Sequence, residues 1–156
     1  MEDPLLVEPR QRHAQQAEKL VNWPHADHFP KIHPIAFLAE TILSYPGEVT
    51  LLTIGPLTNI ALLFKAYPEV IPALKQLVMM CGAFFSSEGA HLPAEWNALL
   101  DPHAASIVYR ANLAVSRSIG LDVTHKVQMN AGQVRKKFVH PVLEPVRDFA
   151  DVWFQE

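Results

Sequence analysis

A chain of 156 residues, 49% hydrophobic and 19% charged, has the composition of one globular domain and not of a disordered chain. Its formal charge of −3 gives no electrostatic reason to expect nucleic acid or a membrane surface as a partner. A single cysteine, Cys81, excludes an internal disulfide, and within the apolar run LVMMCGAFF it reads as a small buried side chain.

The opening MEDPLLVEPRQRHAQQ has no strand pattern and does not read as a signal peptide. No stretch is long and apolar enough to span a bilayer, so a cytoplasmic location is the expectation. A polar stretch follows to about Pro30, with His25 and His28 in a proline-flanked loop that reads as solvated rather than as a metal pair. HPIAFLAETILSYPGE (33–48) has Ile35, Leu38, Ala39, Ile42 and Leu43 at helical spacing, with Pro34 at a first helical position and Pro46-Gly47 as the stop.

VTLLTI (49–54) is a continuous β-favouring run, the pattern of a strand covered on both faces. After Gly55-Pro56, LTNIALLFKAY (57–67) predicts an amphipathic helix whose turn is shaped and capped by Thr58 and Asn59. PEVIPALK predicts a turn or short helix, and QLVMMCGA (76–83) a second strand. Beyond the loop FFSSEGAHLPAEWN comes a helix, DPHAASIVYRAN (101–112), with Asp101 as N-cap and Pro102 in its first turn. A third strand is predicted in LAVSRSIGLDV (113–123), weakened by Ser116, Arg117 and Ser118. From Met129 onward the chain is helical in character, with breaks at Pro141 and Pro145.

Alternating strands and helices predict an α/β fold, a mainly parallel sheet flanked by helices. Ligands of such sheets gather at the carboxyl ends of the strands. Two loops fall there: IGPLTN, and the long loop that closes with AEWN. A carboxylate and an amide two positions apart, Glu95 and Asn97, can accept from and donate to neighbouring hydroxyls, as a polyol or sugar requires. Trp96 between them offers an apolar face for a ring. An ordinary alternative stands beside this: Glu95 and Asn97 satisfy backbone groups of a long loop, and Trp96 anchors the core.

Four motifs in order, IGPLTNIA (54–61), LVMMCGAFF (77–85), AEWNALLDPHAA (94–105) and GLDVTH (120–125), resemble the inosine–uridine-preferring nucleoside hydrolases. These are calcium-dependent enzymes that cleave the N-glycosidic bond of ribonucleosides. The resemblance is best over 33–127, and 1–156 reads as a partial nucleoside hydrolase domain. It implies that Glu95 and Asn97 bind ribose, Asn97 on the 2′/3′ side near the metal and Glu95 at the 5′-hydroxyl. Trp96 stands where the family has phenylalanine and would lie along the nucleoside, and Met80 matches a methionine packed under the ribose. Ile54 matches the residue whose backbone carbonyl is a calcium ligand, a hard oxygen donor of the kind calcium prefers. Asp101 reads as a structural cap, and Asp122 and His125 of GLDVTH as satisfied core polar groups. The implied partners are a ribonucleoside or ribose, and a second copy of the chain, since the family forms dimers or tetramers.

The departures matter as much. The family's DxDxGxDD cluster supplies calcium ligands and the general base that activates the attacking water, whereas Asp3 and Asp27 here are isolated. Its late His-Asp pair is expected beyond Glu156, and a further ribose-binding asparagine aligns with Gly89. The expectation is therefore a nucleoside hydrolase, impaired in this short chain. Two alternatives stay open: a non-catalytic α/β remnant that binds a ribose-like ligand or a partner subunit, and a metal-free enzyme with Glu95 as base.

Overall fold

The computed structural model describes residues 15–26, 31–85 and 95–154. The chain divides into two units, one built on 31–126 and one on 3–30 with 127–156.

In the first unit, α1 (Pro34–Ser44) starts where His33 Nδ1 accepts from the Ile35 amide and Pro34 pre-sets the first turn. Its periodic face puts Ile35, Ala39 and Ile42 into the core. Gly47, at φ 76°, makes the turn that the proline alone would not. Then follow β1 (Thr50–Thr53), α2 (Thr58–Ala66), α3 (Val70–Ala73) and β2 (Gln76–Met80). The unit continues with α4 (Trp96–Leu100), α5 (Pro102–Tyr109), β3 (Ser116–Ile119) and α6 (Leu121–Thr124).

The three strands form a parallel sheet in the order β1-β2-β3. Thr53 pairs with Met79, and Met79 with Ser118, so Ile54, Met80 and Ile119 stand side by side at the carboxyl ends. Central β2 buries alternate residues, and Leu77 and Met79, with Cys81 beyond them, join α1, α2, α3 and α5 in one apolar cluster. Ile42, Leu57, Leu63, Val70 and Val108 are its fully enclosed helix-side members. Removing side chains of this size from water stabilises a fold by roughly 1.5–3 kcal/mol each.

Several boundaries differ from the sequence-based expectations. β1 is not covered on both faces: Leu52 is 64% exposed and Ile54 78%, because β1 is an edge strand and only one sheet face carries the apolar cluster. An apolar run alone does not distinguish those cases. The third strand stops at Ile119, since GLDV turns into α6. Neither Thr58 nor Asn59 caps α2; its N-cap is the buried Leu57, which makes no side-chain cap bond.

The second unit holds a 3₁₀ segment at Gln15–Asn22, within what the sequence presents as a plain polar stretch. It also contains α7 (Ala131–Lys137), a 3₁₀ turn at Pro141–Leu143, and α8 (Glu144–Trp153). Asn130 and Gln133 form a reciprocal capping box that starts α7. Pro141 opens the 3₁₀ turn and Pro145 lies in the first turn of α8, so both start helices rather than break them. Asp148 of α8 accepts from the Trp23 indole at 3.0 Å and the Asn22 amide at 3.3 Å. The indole bond first, then the amide, holds the Asp148 carboxyl below the usual aspartate range.

Candidate functional site at the strand ends

The polar groups of AEWN gather at the carboxyl end of β2. Glu95 is 3% exposed and Asn97 7%, the two buried polar side chains among the described residues. Glu95 sits in extended backbone just before α4 and caps that helix. Its Oε1 accepts from the Asn97 amide at 2.8 Å, and its Oε2 from the Ala98 amide at 3.1 Å. Oε2 also accepts from the Gly82 amide at 3.0 Å, which ties the helix start to the end of the central strand. A carboxylate buried this far requires such donors.

Asn97 completes the tie from the other side. Its Nδ2 donates to the Met80 carbonyl at 2.9 Å and lies 3.4 Å from the Met80 sulfur. These bonds use the amide nitrogen and not the Oδ1 oxygen. Trp96 is 39% exposed, so it is not the core anchor of the ordinary alternative. The structure thus brings Glu95, Asn97 and Met80 together, with Trp96 at the surface beside them. It places Ile54 one strand away, at the end of β1 next to Met80.

The neighbouring turns are equally bound. Gly82 has φ 85°, and its carbonyl accepts from the Leu121 amide. Asp122 accepts from the Phe84 amide at 3.1 Å while remaining partly exposed, and His125 is exposed, so neither is a core group. His25 is exposed, with Nδ1 2.7 Å from the Trp23 carbonyl, as a solvated loop would have it. His28, Gly89, Asp3 and Asp27 lie outside the described residues. Asp101 is the cap it was expected to be, accepting from the Ala104 amide at 2.9 Å.

Two residues that the sequence did not single out converge on the same strand end. Ser118 Oγ donates to the Cys81 carbonyl at 2.6 Å, and Tyr109 Oη lies 3.1 Å from that carbonyl and 2.7 Å from Ser118 Oγ. The available signal was the polar interruption SRS inside a strand. Burial pushes both the Tyr109 hydroxyl and the Cys81 thiol above their ordinary values.

A metal has less to hold it. Among the described residues, no three of His, Cys, Asp or Glu stand together as a cation site. The single carbonyl at Ile54 does not by itself fit calcium, which takes about six to eight oxygens.

A parallel sheet flanked by helices, with a buried acid and amide at the end of its central strand, defines an α/β protein whose buried polar groups lie where ligands of that class gather. The chain belongs to the inosine-uridine preferring nucleoside hydrolase family, whose model matches residues 2–155. It is 34% identical over 124 residues to the pyrimidine-specific ribonucleoside hydrolase RihA of Salmonella paratyphi B, covering 78% of this chain and 39% of that one. Uridine nucleosidase 1 of Arabidopsis thaliana is 37% identical over 94 residues, 60% of this chain and 28% of its own. The inosine-uridine preferring nucleoside hydrolase of Bacillus anthracis superposes with a TM-score of 0.69 at 25% identity, covering 86% of this chain and 47% of that chain. The present chain therefore spans less than half the length of each of these relatives.

Proposed function

We propose that this chain carries the ribose-holding segment of an N-ribosyl hydrolase, a protein that splits ribonucleosides into base and ribose. One observation carries the reading: an acid and an amide, Glu95 and Asn97, are buried and fixed at the carboxyl end of the central parallel strand. Three backbone donors hold the Glu95 carboxylate, whose two oxygens offer about four acceptor directions, and a hydroxyl would share the remaining one with the Cys81 thiol. Asn97 Oδ1 supplies another acceptor, and the exposed part of Trp96 a face for sugar or base.

In this reading Asn97 serves the 2′/3′ hydroxyls, Glu95 the 5′-hydroxyl, and Met80 the underside of the ribose. The Ile54 carbonyl would contribute one ligand to a calcium ion whose other ligands are not among the described residues. When bound, calcium would hold the diol and polarise the attacking water. Glu95 and Asn97 orient the sugar and do not activate that water. The metal-free reading is weaker, because three N–H donors already engage the group it needs as base. A cytoplasmic location and self-association belong to the same proposal.

A second reading has its own support. The engagement of the Glu95 carboxylate by three backbone N–H groups suits a protein that binds a ribose-like ligand or partner subunit without cleaving.

Titration calorimetry of the full chain with uridine and with inosine, with calcium and with chelator, tests both readings. Binding that weakens by about tenfold in Asn97→Ala, as loss of a buried polar contact would give, supports the ribose site. Release of base and ribose in calcium alone favours the hydrolase, and chelator-insensitive binding without release favours the second reading. No binding of either nucleoside by a folded wild-type chain rules out the ribose site.

A further inference from the structure

Cys81 and Gly82 share one peptide group. Its oxygen is the Cys81 carbonyl, and its N–H is the donor to Glu95. In a trans peptide these two point in opposite directions within one plane. The plane is therefore gripped from both sides, by Tyr109 and Ser118 at the oxygen and by Glu95 at the nitrogen.

We propose that Tyr109, together with Ser118, is a positioning residue for Glu95, acting through the Cys81–Gly82 peptide. The idea concerns the same site as the proposed function and takes its ligand from that reading.

Three short contacts join Tyr109 Oη, Ser118 Oγ and the Cys81 carbonyl, but only two hydroxyl protons are available. Either both hydroxyls donate to the carbonyl, which has two lone pairs, or one donates to it and the other to the first hydroxyl. In either arrangement at least one hydroxyl proton ends on the Cys81 oxygen. Drawing electron density toward that oxygen strengthens the N–H on the other side of the amide as a donor. Glu95 receives that N–H at 3.0 Å.

This peptide also has particular need of a clamp. Gly82 has φ 85°, and without a Cβ it has other backbone states within reach. If the plane turned, Gly82 N–H would leave Glu95, and the carboxylate would be held only by the start of its own helix. Met80, one residue back, is held separately by Asn97. Tyr109 also fills the space beside Gly82: a Cβ there would meet its hydroxyl at 3.1 Å.

The test uses the ¹⁵N-labelled full chain with Tyr109→Phe, Ser118→Ala and Glu95→Gln, singly and in pairs. Tyr109→Phe is expected to move the Gly82 amide proton upfield and to speed its exchange about fivefold, the scale of one hydrogen bond. In the Glu95→Gln background the same change should move Gly82 much less, since the acceptor it acts on is altered. Ser118→Ala should reproduce the pattern if Tyr109→Phe does not fold. An unmoved Gly82 amide, or the same displacement with and without the Glu95 carboxylate, overturns the proposal. Uridine affinity is read in parallel and should fall several-fold in Tyr109→Phe. If the wild-type chain binds neither uridine nor inosine, the ribose reading fails, while the Gly82 resonance still decides the positioning role.

Discussion

The Thr58 hydroxyl lies 2.6 Å from the Asp101 carboxylate, joining the first turns of α2 and α5 across 43 positions of sequence. Asp101 also caps α5 through the Ala104 amide, so one side chain fixes a helix start and ties it to its neighbour. Asp101→Ala is expected to lower stability by about 1–2 kcal/mol, the cost of a lost N-cap, in urea unfolding. Asp101→Asn keeps an acceptor and should lose less.

The same bonds make a prediction about pH. The Thr58 hydroxyl first, and the Ala104 amide second, hold the Asp101 carboxyl below its ordinary value of about 3.9. With the folded value depressed, this contribution is complete above the unfolded value and fades as pH falls through the folded one. The urea midpoint of the wild-type chain should therefore drop more steeply below about pH 4 than that of Asp101→Asn. Parallel curves would show that the Thr58 contact does not favour the ionised form.

Glu95→Ala leaves three backbone donors, at Gly82, Asn97 and Ala98, without their acceptor in a buried setting. A loss on the order of 3 kcal/mol follows. Glu95→Gln keeps one carbonyl oxygen and should cost less. If Glu95→Ala unfolds at the wild-type urea concentration, the cap is not a source of stability.

Two glycines separate backbone strain from contact. Gly47 and Gly82 both have positive φ, 76° and 85°, and a Cβ at Gly47 would meet nothing within 4 Å. At Gly82 a Cβ would lie 3.0 Å from Phe84 Cζ and 3.1 Å from Tyr109 Oη. Gly47→Ala should cost about 1 kcal/mol from backbone conformation alone, and Gly82→Ala measurably more. Equal losses would mean that Phe84 and Tyr109 move aside freely.

On β1, Leu52 is 64% exposed, and the strand carries no charge or proline to discourage pairing by its free edge. Leu52→Lys should reduce concentration-dependent self-association in sedimentation experiments while leaving the unfolding midpoint within about 0.5 kcal/mol of wild type. Unchanged association would place any self-contact elsewhere.

Local chemistry was legible wherever it rests on neighbours in sequence. The helix at Pro34, the Asp101 cap and the alternation of strands and helices follow from short-range spacing, and the family resemblance from four short motifs. The position of AEWN at the carboxyl ends of the strands followed too, because parallel strands present those ends at one side of a sheet, whereas the central place of β2 did not. Other features required distances that spacing does not encode. VTLLTI has the pattern of a buried strand, yet its place at the sheet edge leaves Leu52 and Ile54 in the open. Glu95 is a residue type that usually faces solvent, and the Gly82 amide from 13 positions away joins two local amides in compensating its burial. SRS weakened the third strand as read from propensity, whereas in the fold Ser118 supplies the hydroxyl that holds the Cys81 carbonyl.

The sequence by itself determined the order of the main strands and helices and the resemblance to a family, since periodicity, caps and motifs are local properties. Only the tertiary structure decided which faces of those elements are covered and which polar atoms meet. Burial and hydrogen bonding across the sheet depend on neighbours that chain order does not name.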